Sequence, residues 1–257
     1  MPERSEYAPG TFSWINCATT DPAAAKTFYT SIFGWDFFDM PVPDGGSYSM
    51  AMLNGKSVAG LFQKPAEMEA PPHWASFVTV EDADATTAKA RDLGATILAE
   101  PFDVMGAGRM AVIQDGENAV VSVWQPKGSI GAERVNEHGA LCWNELMSND
   151  VEAAKAFYTS LFGWTTEPFG ENYTIVKVGD RGNGGIMPIG PEMGPIPPHW
   201  AVYIGIDDVD AAVERVTAGG GNVFAPPFDL PEIGRMAVVA DPQGAAFGMF
   251  QLATPSD

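Results

Sequence analysis

The chain has 257 residues, of which 46% are apolar, and a formal net charge of −19 from 14 basic and 33 acidic side chains. A field of that sign repels phosphate backbones and anionic lipid, so nucleic acid and membrane surfaces are poor partners. No apolar run approaches the roughly 18 residues that span a bilayer, and the opening MPERSEYAPGTF lacks the basic-then-apolar order of a signal peptide, so a cytoplasmic location is expected.

The first element predicted is a strand over 11–18, with Phe12, Trp14 and Asn16 on one face. Asp21-Pro22 then supplies an N-cap and a proline at the first helical position. Ala25, Phe28, Ile32 and Phe33 recur at helical spacing until Gly34 stops the helix. Three short strands follow near 36–40, 47–53 and 56–62, separated by PDGG and NG turns. A second unit of the same order starts at His73-Trp74. Its strand is 74–80, its helix runs from Asp82 to about Leu93, and its last strands lie near 96–98, 108–114 and 119–125.

The whole βαβββ pair is then written again. FYTSIFGW at 28–35 returns as FYTSLFGW at 157–164, PPHWA at 71–75 as PPHWA at 197–201, and GRMAV at 108–112 as GRMAV at 234–238. The division expected is a first module over 8–126, a linker over 127–136 and a second module over 137–253. Gly219-Gly220-Gly221 follows a helix, so it reads as a C-cap turn and not as a phosphate cradle. Cys17 and Cys142 have no zinc-type spacing and read as reduced packing residues.

The doubled order of strand, D-x-x-x-A-x-x-FY-x-x-x-FGW, hairpin region, PPHW and GRMA ends in D-P-x-G at Asp241-Pro242-Gln243-Gly244. It resembles the vicinal oxygen chelate superfamily of glyoxalase I, bleomycin-resistance proteins and extradiol dioxygenases. Within it, the two-module actinobacterial proteins labelled glyoxalases or hydroxylases are the most similar type. The resemblance implies an α+β fold of tandem modules, each a curved mixed sheet around a pocket with helices outside. It also implies a functional monomer, with pockets formed by strands of both halves.

Metal-using members of that superfamily draw ligands from four strand positions. Carried onto this chain, those positions fall on Trp14 and Trp143, near Gly60 and Gly185, on Ala75 and Ala201, and on Ser122 and Gly248. The ligand set is missing in both copies. Asn16 or Glu145, with His73 or His199, would share a strand face in a shifted set, but one or two ligands fall short of the three or four such sites need. No cofactor is therefore expected, and a divalent metal is the alternative.

Trp14, Trp143, Trp124 and Phe250 fall on the inward faces, and Phe77 and Tyr203 share that parity. Aromatic walls with few polar groups suit a flat, largely apolar small molecule; the same rings could equally fill a sheet core. Asn16, Glu145, His73, His199, Arg109, Arg235, Tyr48 and Tyr173 are the polar candidates. Each has a plainer alternative: the histidines bonding backbone after Pro-Pro, the arginines pairing with Asp103 and Asp229, and Glu145 capping the linker or pairing with an Arg. Two functional readings follow. One is a metal-free protein that binds a small aromatic or apolar molecule. The other is a glyoxalase-like lyase or isomerase, or an oxygenase or hydroxylase, with Glu145 as base or metal ligand. A purely structural or host-interaction role for the acidic surface is a third, which no motif specifies.

Overall fold

The computed structural model describes residues 3–42 and 46–253. The first module runs β1 (Phe12–Thr19), α1 (Pro22–Phe33), β2 (Asp36–Pro41), β3 (Ser47–Leu53), β4 (Lys56–Gln63), β5 (His73–Thr79), α2 (Ala83–Asp92), β6 (Thr96–Val104), β7 (Gly108–Gln114) and β8 (Val120–Pro126). The second repeats it as β9 (Leu141–Ser148), α3 (Val151–Phe162), β10 (Thr165–Phe169), β11 (Tyr173–Val178), β12 (Arg181–Pro188), β13 (His199–Gly205), α4 (Val209–Ala218), β14 (Asn222–Leu230), β15 (Gly234–Ala240) and β16 (Ala246–Leu252), with a 3-10 turn at Pro191–Met193. This is the α+β tandem architecture expected. Most of the PDGG turn lies outside the described residues. One expected strand was drawn short: β6 continues past Leu98 to Val104, through Pro101, because it is an edge strand and proline costs such a strand no ladder bond.

The helix starts follow one rule. Asp21, Asp82, Asp150 and Asp208 each accept the N–H three residues on, at 3.0 Å. Gly34 and Gly163 close α1 and α3 in the left-handed region, at φ 69° and 72°. Gly220, at φ +82°, makes the turn after α4, as the glycine run suggested.

Each sheet has eight strands, in the order β2-β3-β4-β1-β5-β8-β7-β6 and its repeat β10-β11-β12-β9-β13-β16-β15-β14. The β1–β4 and β5–β8 ladders are parallel, and β1–β5 at the centre is antiparallel. Both βαβββ units of a module therefore build the same sheet. This corrects the expectation of pockets formed by strands of both halves: among the described residues each sheet draws its strands from one module.

What the modules share is a buried seam made of the repeat motifs. The Tyr29 hydroxyl of α1 donates to Asp241 Oδ2 of the other module at 2.8 Å and accepts from Trp74 Nε1 at 3.0 Å. The mirror set is Tyr158, which donates to Asp115 Oδ2 at 2.8 Å and accepts from Trp200 Nε1 at 2.9 Å. Each Asp also uses Oδ1 to hold its own turn, from the N–H groups of Glu117 and Ala119 or of Gln243 and Ala245. The FGW tryptophans cross the seam as well: Trp35 Nε1 donates to Gly139 O and Trp164 Nε1 to Gly10 O. FY, FGW, PPHW and the aspartate turn are thus docking motifs.

The segment expected as linker is packed, not free. Ala132 N donates to Ser13 O, Glu133 N to Ser57 O, and the Glu133 carboxylate accepts from Ser57 N. No helix among the described residues is long and apolar enough to cross a membrane.

Candidate functional site

Helices and the partner module cover one face of each sheet. Cys17 lies on that face, near Tyr29, as does Ser76, which bonds Asn144 across the seam at 2.7 Å. Strand side chains alternate, so Trp14 and Asn16 occupy the opposite, helix-free face. Residues in register across a ladder share a face. In the first module this puts Trp14, Phe77 and Ser122 in one row, and Gly60, Asn16 and Ala75 in another. Phe38 and Met50 continue the row to the β2 edge, and Phe102, Met110 and Trp124 form a row from the β6 edge. The second module matches with Trp143, Tyr203 and Gly248, with Gly185, Glu145 and Ala201, and with Phe228, Met236 and Phe250.

Apolar side chains are left in water along the edges of this face. Phe38 and Phe102 are 62% and 45% exposed, and Phe169 and Phe228, at corresponding edges of the second sheet, are 47% and 40% exposed. The sequence reading missed these four. Phe102 fell beyond the short strand assigned, and a single aromatic at an edge carries no periodic signal.

At the centre of the first face, Trp14 Nε1 donates to Asn16 Oδ1 at 2.8 Å and lies 3.0 Å from the Tyr48 hydroxyl, which donates to the same Oδ1 at 2.5 Å. Gly60 is required here: a Cβ would overlap both the Tyr48 hydroxyl and Asn16 Oδ1. In the second face, Trp143 Nε1 donates to the Tyr173 hydroxyl at 2.8 Å, and Tyr203 donates to Glu145 Oε1 at 2.7 Å. Gly185 leaves room for Tyr173, and Gly248 for the ring of Tyr203.

The two copies differ as sets. Asn16, Phe77 and Ser122 become Glu145, Tyr203 and Gly248: an acid arrives with a phenol to bond it and a glycine to seat the phenol. Glu145 is 8% exposed. Burial raises its carboxyl pKa, and the phenols of Tyr203 and Tyr173 oppose that rise by stabilising the anion. Burial also pushes both phenols upward, reinforced by the charge of Glu145. The result is a water-poor carboxyl whose proton is held more tightly than usual. It neither caps the linker nor pairs with an Arg: its hydrogen-bond partners are phenols.

His73 and His199 sit at their strand starts with Nδ1 2.8 Å from the carbonyls of Pro71 and Pro197, which is the plainer of their two readings. Arg109 and Arg235 do not line the helix-free face. Arg109 forks onto Asp84 of α2 at 2.6 and 2.9 Å and reaches Asp103 at 3.4 Å. Arg235 repeats this with Asp210 at 2.8 and 2.9 Å and Asp229 at 2.9 Å. The first-turn aspartates of α2 and α4 draw both guanidinium groups to the helix side, a partner the sequence reading did not name. Cys17 is buried and Cys142 half-buried, and burial pushes the Cys142 thiol up to about 12. Two shallow surface hollows lie elsewhere, one of about 600 Å³ between α1 and α4 and one of about 420 Å³ beside the β14–β15 turn.

Comparison with known proteins agrees with this architecture. The family model described as Glyoxalase/Bleomycin resistance protein/Dioxygenase superfamily matches residues 11–122 and again 140–249, and the chain belongs to that family. Over 98% of either chain it is 45% identical to a Mycobacterium tuberculosis protein named "Putative glyoxylase CFP32". It is 32% identical to the anthracycline biosynthesis protein DnrV of Streptomyces peucetius, over 96% of this chain and 95% of that one. Among solved structures, the Mn(II)-bound glyoxalase of Novosphingobium aromaticivorans superposes with a TM-score of 0.67 at 16% identity, covering 96% of this chain and 86% of that one. A catechol 2,3-dioxygenase does so with 0.65 at 12%, covering 97% and 90%.

The residues of this chain do not fit a metal of the kind its structural neighbour carries. Indoles, glycines, alanines and one serine, Ser122, occupy the carried-over ligand positions, and Tyr48, Tyr173 and Tyr203 fill the space above Gly60, Gly185 and Gly248. Among the described residues no three His, Cys, Asp or Glu side chains converge, whereas such centres need at least three nitrogen, oxygen or sulfur donors.

Proposed function

We propose that this chain is a small-molecule binding protein whose two helix-free sheet faces take flat, largely apolar molecules without a resident metal. One observation carries the reading: on each sheet, exposed edge aromatics share a face with a central polar cluster held ready by its own hydrogen bonds, joined on the first sheet by half-buried Met50 and Met110. Apolar walls with a few fixed polar groups are the usual make-up of ligand sites. Stacking on Trp143, Phe228 and Phe250 favours conjugated rings. The likeness to a protein named for anthracycline biosynthesis supports the same reading. On this reading the functional unit is the monomer, in keeping with sheets complete within one chain, and the ligand is a neutral organic molecule rather than nucleic acid or membrane.

The test is titration calorimetry of the full chain with naphthalene and 1-naphthol. Saturable binding of either supports the proposal; no saturable binding of any flat aromatic probe overturns it.

A second reading, that the chain is a lyase, isomerase or hydroxylase, draws support from Glu145 alone. A buried carboxyl with a raised pKa is suited to exchanging a proton with a bound substrate. On this reading Glu145→Gln abolishes turnover of a glyoxal-derived adduct with little change in affinity. Unchanged turnover removes Glu145 from the chemistry.

A further inference from the structure

The first module's cluster has a definite hydrogen-bond polarity, set by one side chain. An indole N–H can only donate. The atom of Asn16 that stands 2.8 Å from Trp14 Nε1 is therefore its oxygen. The Tyr48 hydroxyl donates to the same oxygen. With Oδ1 taken twice, the amide cannot turn over, and Nδ2 is fixed on the other side. Nδ2 has no hydrogen-bond partner among the described residues, and Asn16 is only part-buried. The Tyr48 hydroxyl is spent, since it donates to Asn16 while lying against the Trp14 N–H. The donors this cluster offers a ligand are thus the two N–H bonds of Asn16.

The surroundings decide what those donors meet. Phe77 occupies the place of Tyr203, and Asn16 that of Glu145, so the cluster carries no charge. The net charge of −19 disfavours an anionic guest. Phe77 and Trp14 lie buried beside Asn16 on the same face, and the apolar surface left open runs over half-buried Met50 to exposed Phe38 at the edge. A neutral acceptor set in a flat apolar frame matches this arrangement.

Resting on the binding role proposed above, we propose that the first module is a carbonyl-recognition site. In it the Nδ2 group of Asn16 donates to the oxygen of an aromatic ketone or quinone lying against Met50 and Phe38. The second module, with a carboxyl in the matched position, has a different preference, so the duplicated chain holds two non-equivalent sites.

The experiment uses 1-tetralone, an aryl ketone that only accepts hydrogen bonds, and naphthalene, which neither accepts nor donates them. Side-chain amide resonances of the ¹⁵N-labelled full chain are followed on titration, with the Asn16 pair identified by its loss in Asn16→Asp or by direct assignment. That variant keeps an acceptor for Trp14 and Tyr48 and replaces the donor with oxygen. The expected result is a saturable downfield shift of the Asn16 pair with 1-tetralone but not naphthalene. Asn16→Asp should bind 1-tetralone about 10-fold more weakly, the size of one lost hydrogen bond, with naphthalene affinity and melting temperature retained. Binding of both probes with a stationary Asn16 pair, or equal loss of both in a folded variant, overturns the carbonyl site and leaves the binding role standing. Failure of 1-tetralone, naphthalene and 1-naphthol alike to bind overturns the two together, whereas binding of 1-naphthol alone overturns only the carbonyl site.

Discussion

Replacing Tyr29 by Phe removes one hydroxyl and strands two buried groups. The hydroxyl donates to Asp241 Oδ2 at 2.8 Å and accepts from Trp74 Nε1 at 3.0 Å; Tyr29 and Asp241 are fully buried, and Trp74 is 5% exposed. An unsatisfied buried donor costs about 1–3 kcal/mol, and an acid that loses a buried partner costs more. The ring itself stays packed against Phe33, Trp35, Trp74 and Phe247, so the hydrophobic contribution is retained. The expected loss is about 3–5 kcal/mol in all. For a chain of this size each kcal/mol lowers the melting temperature by roughly 2–4 °C, so calorimetry should record a fall of about 6–20 °C. Tyr158→Phe should fall within the same range, because Trp200 and Asp115 repeat the arrangement. A loss below about 1 kcal/mol in either variant, well under the cost of one stranded buried group, would refute the assignment of FY, PPHW and the aspartate turn to docking.

Glu145→Gln should stabilise the protein relative to the parent as pH rises. The folded-state pKa of Glu145 is raised by burial, so its favourable contribution is complete below the unfolded value and is lost as pH climbs through the folded one. Denaturant titrations from pH 4 to 8 should therefore diverge in favour of the variant with increasing pH, and parallel curves would contradict the burial argument. Gly248→Ala places a methyl on the ring of Tyr203. It should cost about 1–3 kcal/mol, as overpacking does, and release the bond to Glu145, whereas Ser122→Ala in the first copy should be mild by comparison. Equal effects of the two substitutions in chemical denaturation would show that Tyr203 is not seated on Gly248.

The fold was nearly all legible because each helix carries an Asp N-cap and α1 and α3 end in left-handed glycines; strand parity failed at bulges, as in β1, where a register shift between Phe12 and Trp14 turns Phe12 off the face expected for it and into the seam against Trp164 and Trp200. The site was legible only in outline. Trp14, Asn16, Trp143 and Glu145 could be placed on one face from strand parity. Tyr203 could be placed there too, but parity does not say that its hydroxyl reaches Glu145. The arginines went to α2 and α4 because their partners, Asp84 and Asp210, lie 25 residues away in sequence, beyond any local pattern. The docking role of Tyr29 was hidden for the same reason: Asp241 is 212 residues distant. Strand parity assigns faces, whereas partners that meet only in the folded molecule leave no periodic trace.

The seven tryptophans divide the molecule into the parts that matter here. Trp14, Trp124 and Trp143 lie on the helix-free faces, while Trp35, Trp74, Trp164 and Trp200 lie in the seam. An indole ¹H–¹⁵N spectrum recorded during titration with 1-naphthol therefore reads both at once. Binding on the sheet faces predicts that the resonances of Trp14, Trp124 or Trp143 move saturably while the four seam indoles stay still. Movement confined to the seam indoles, or no movement at all, would contradict it.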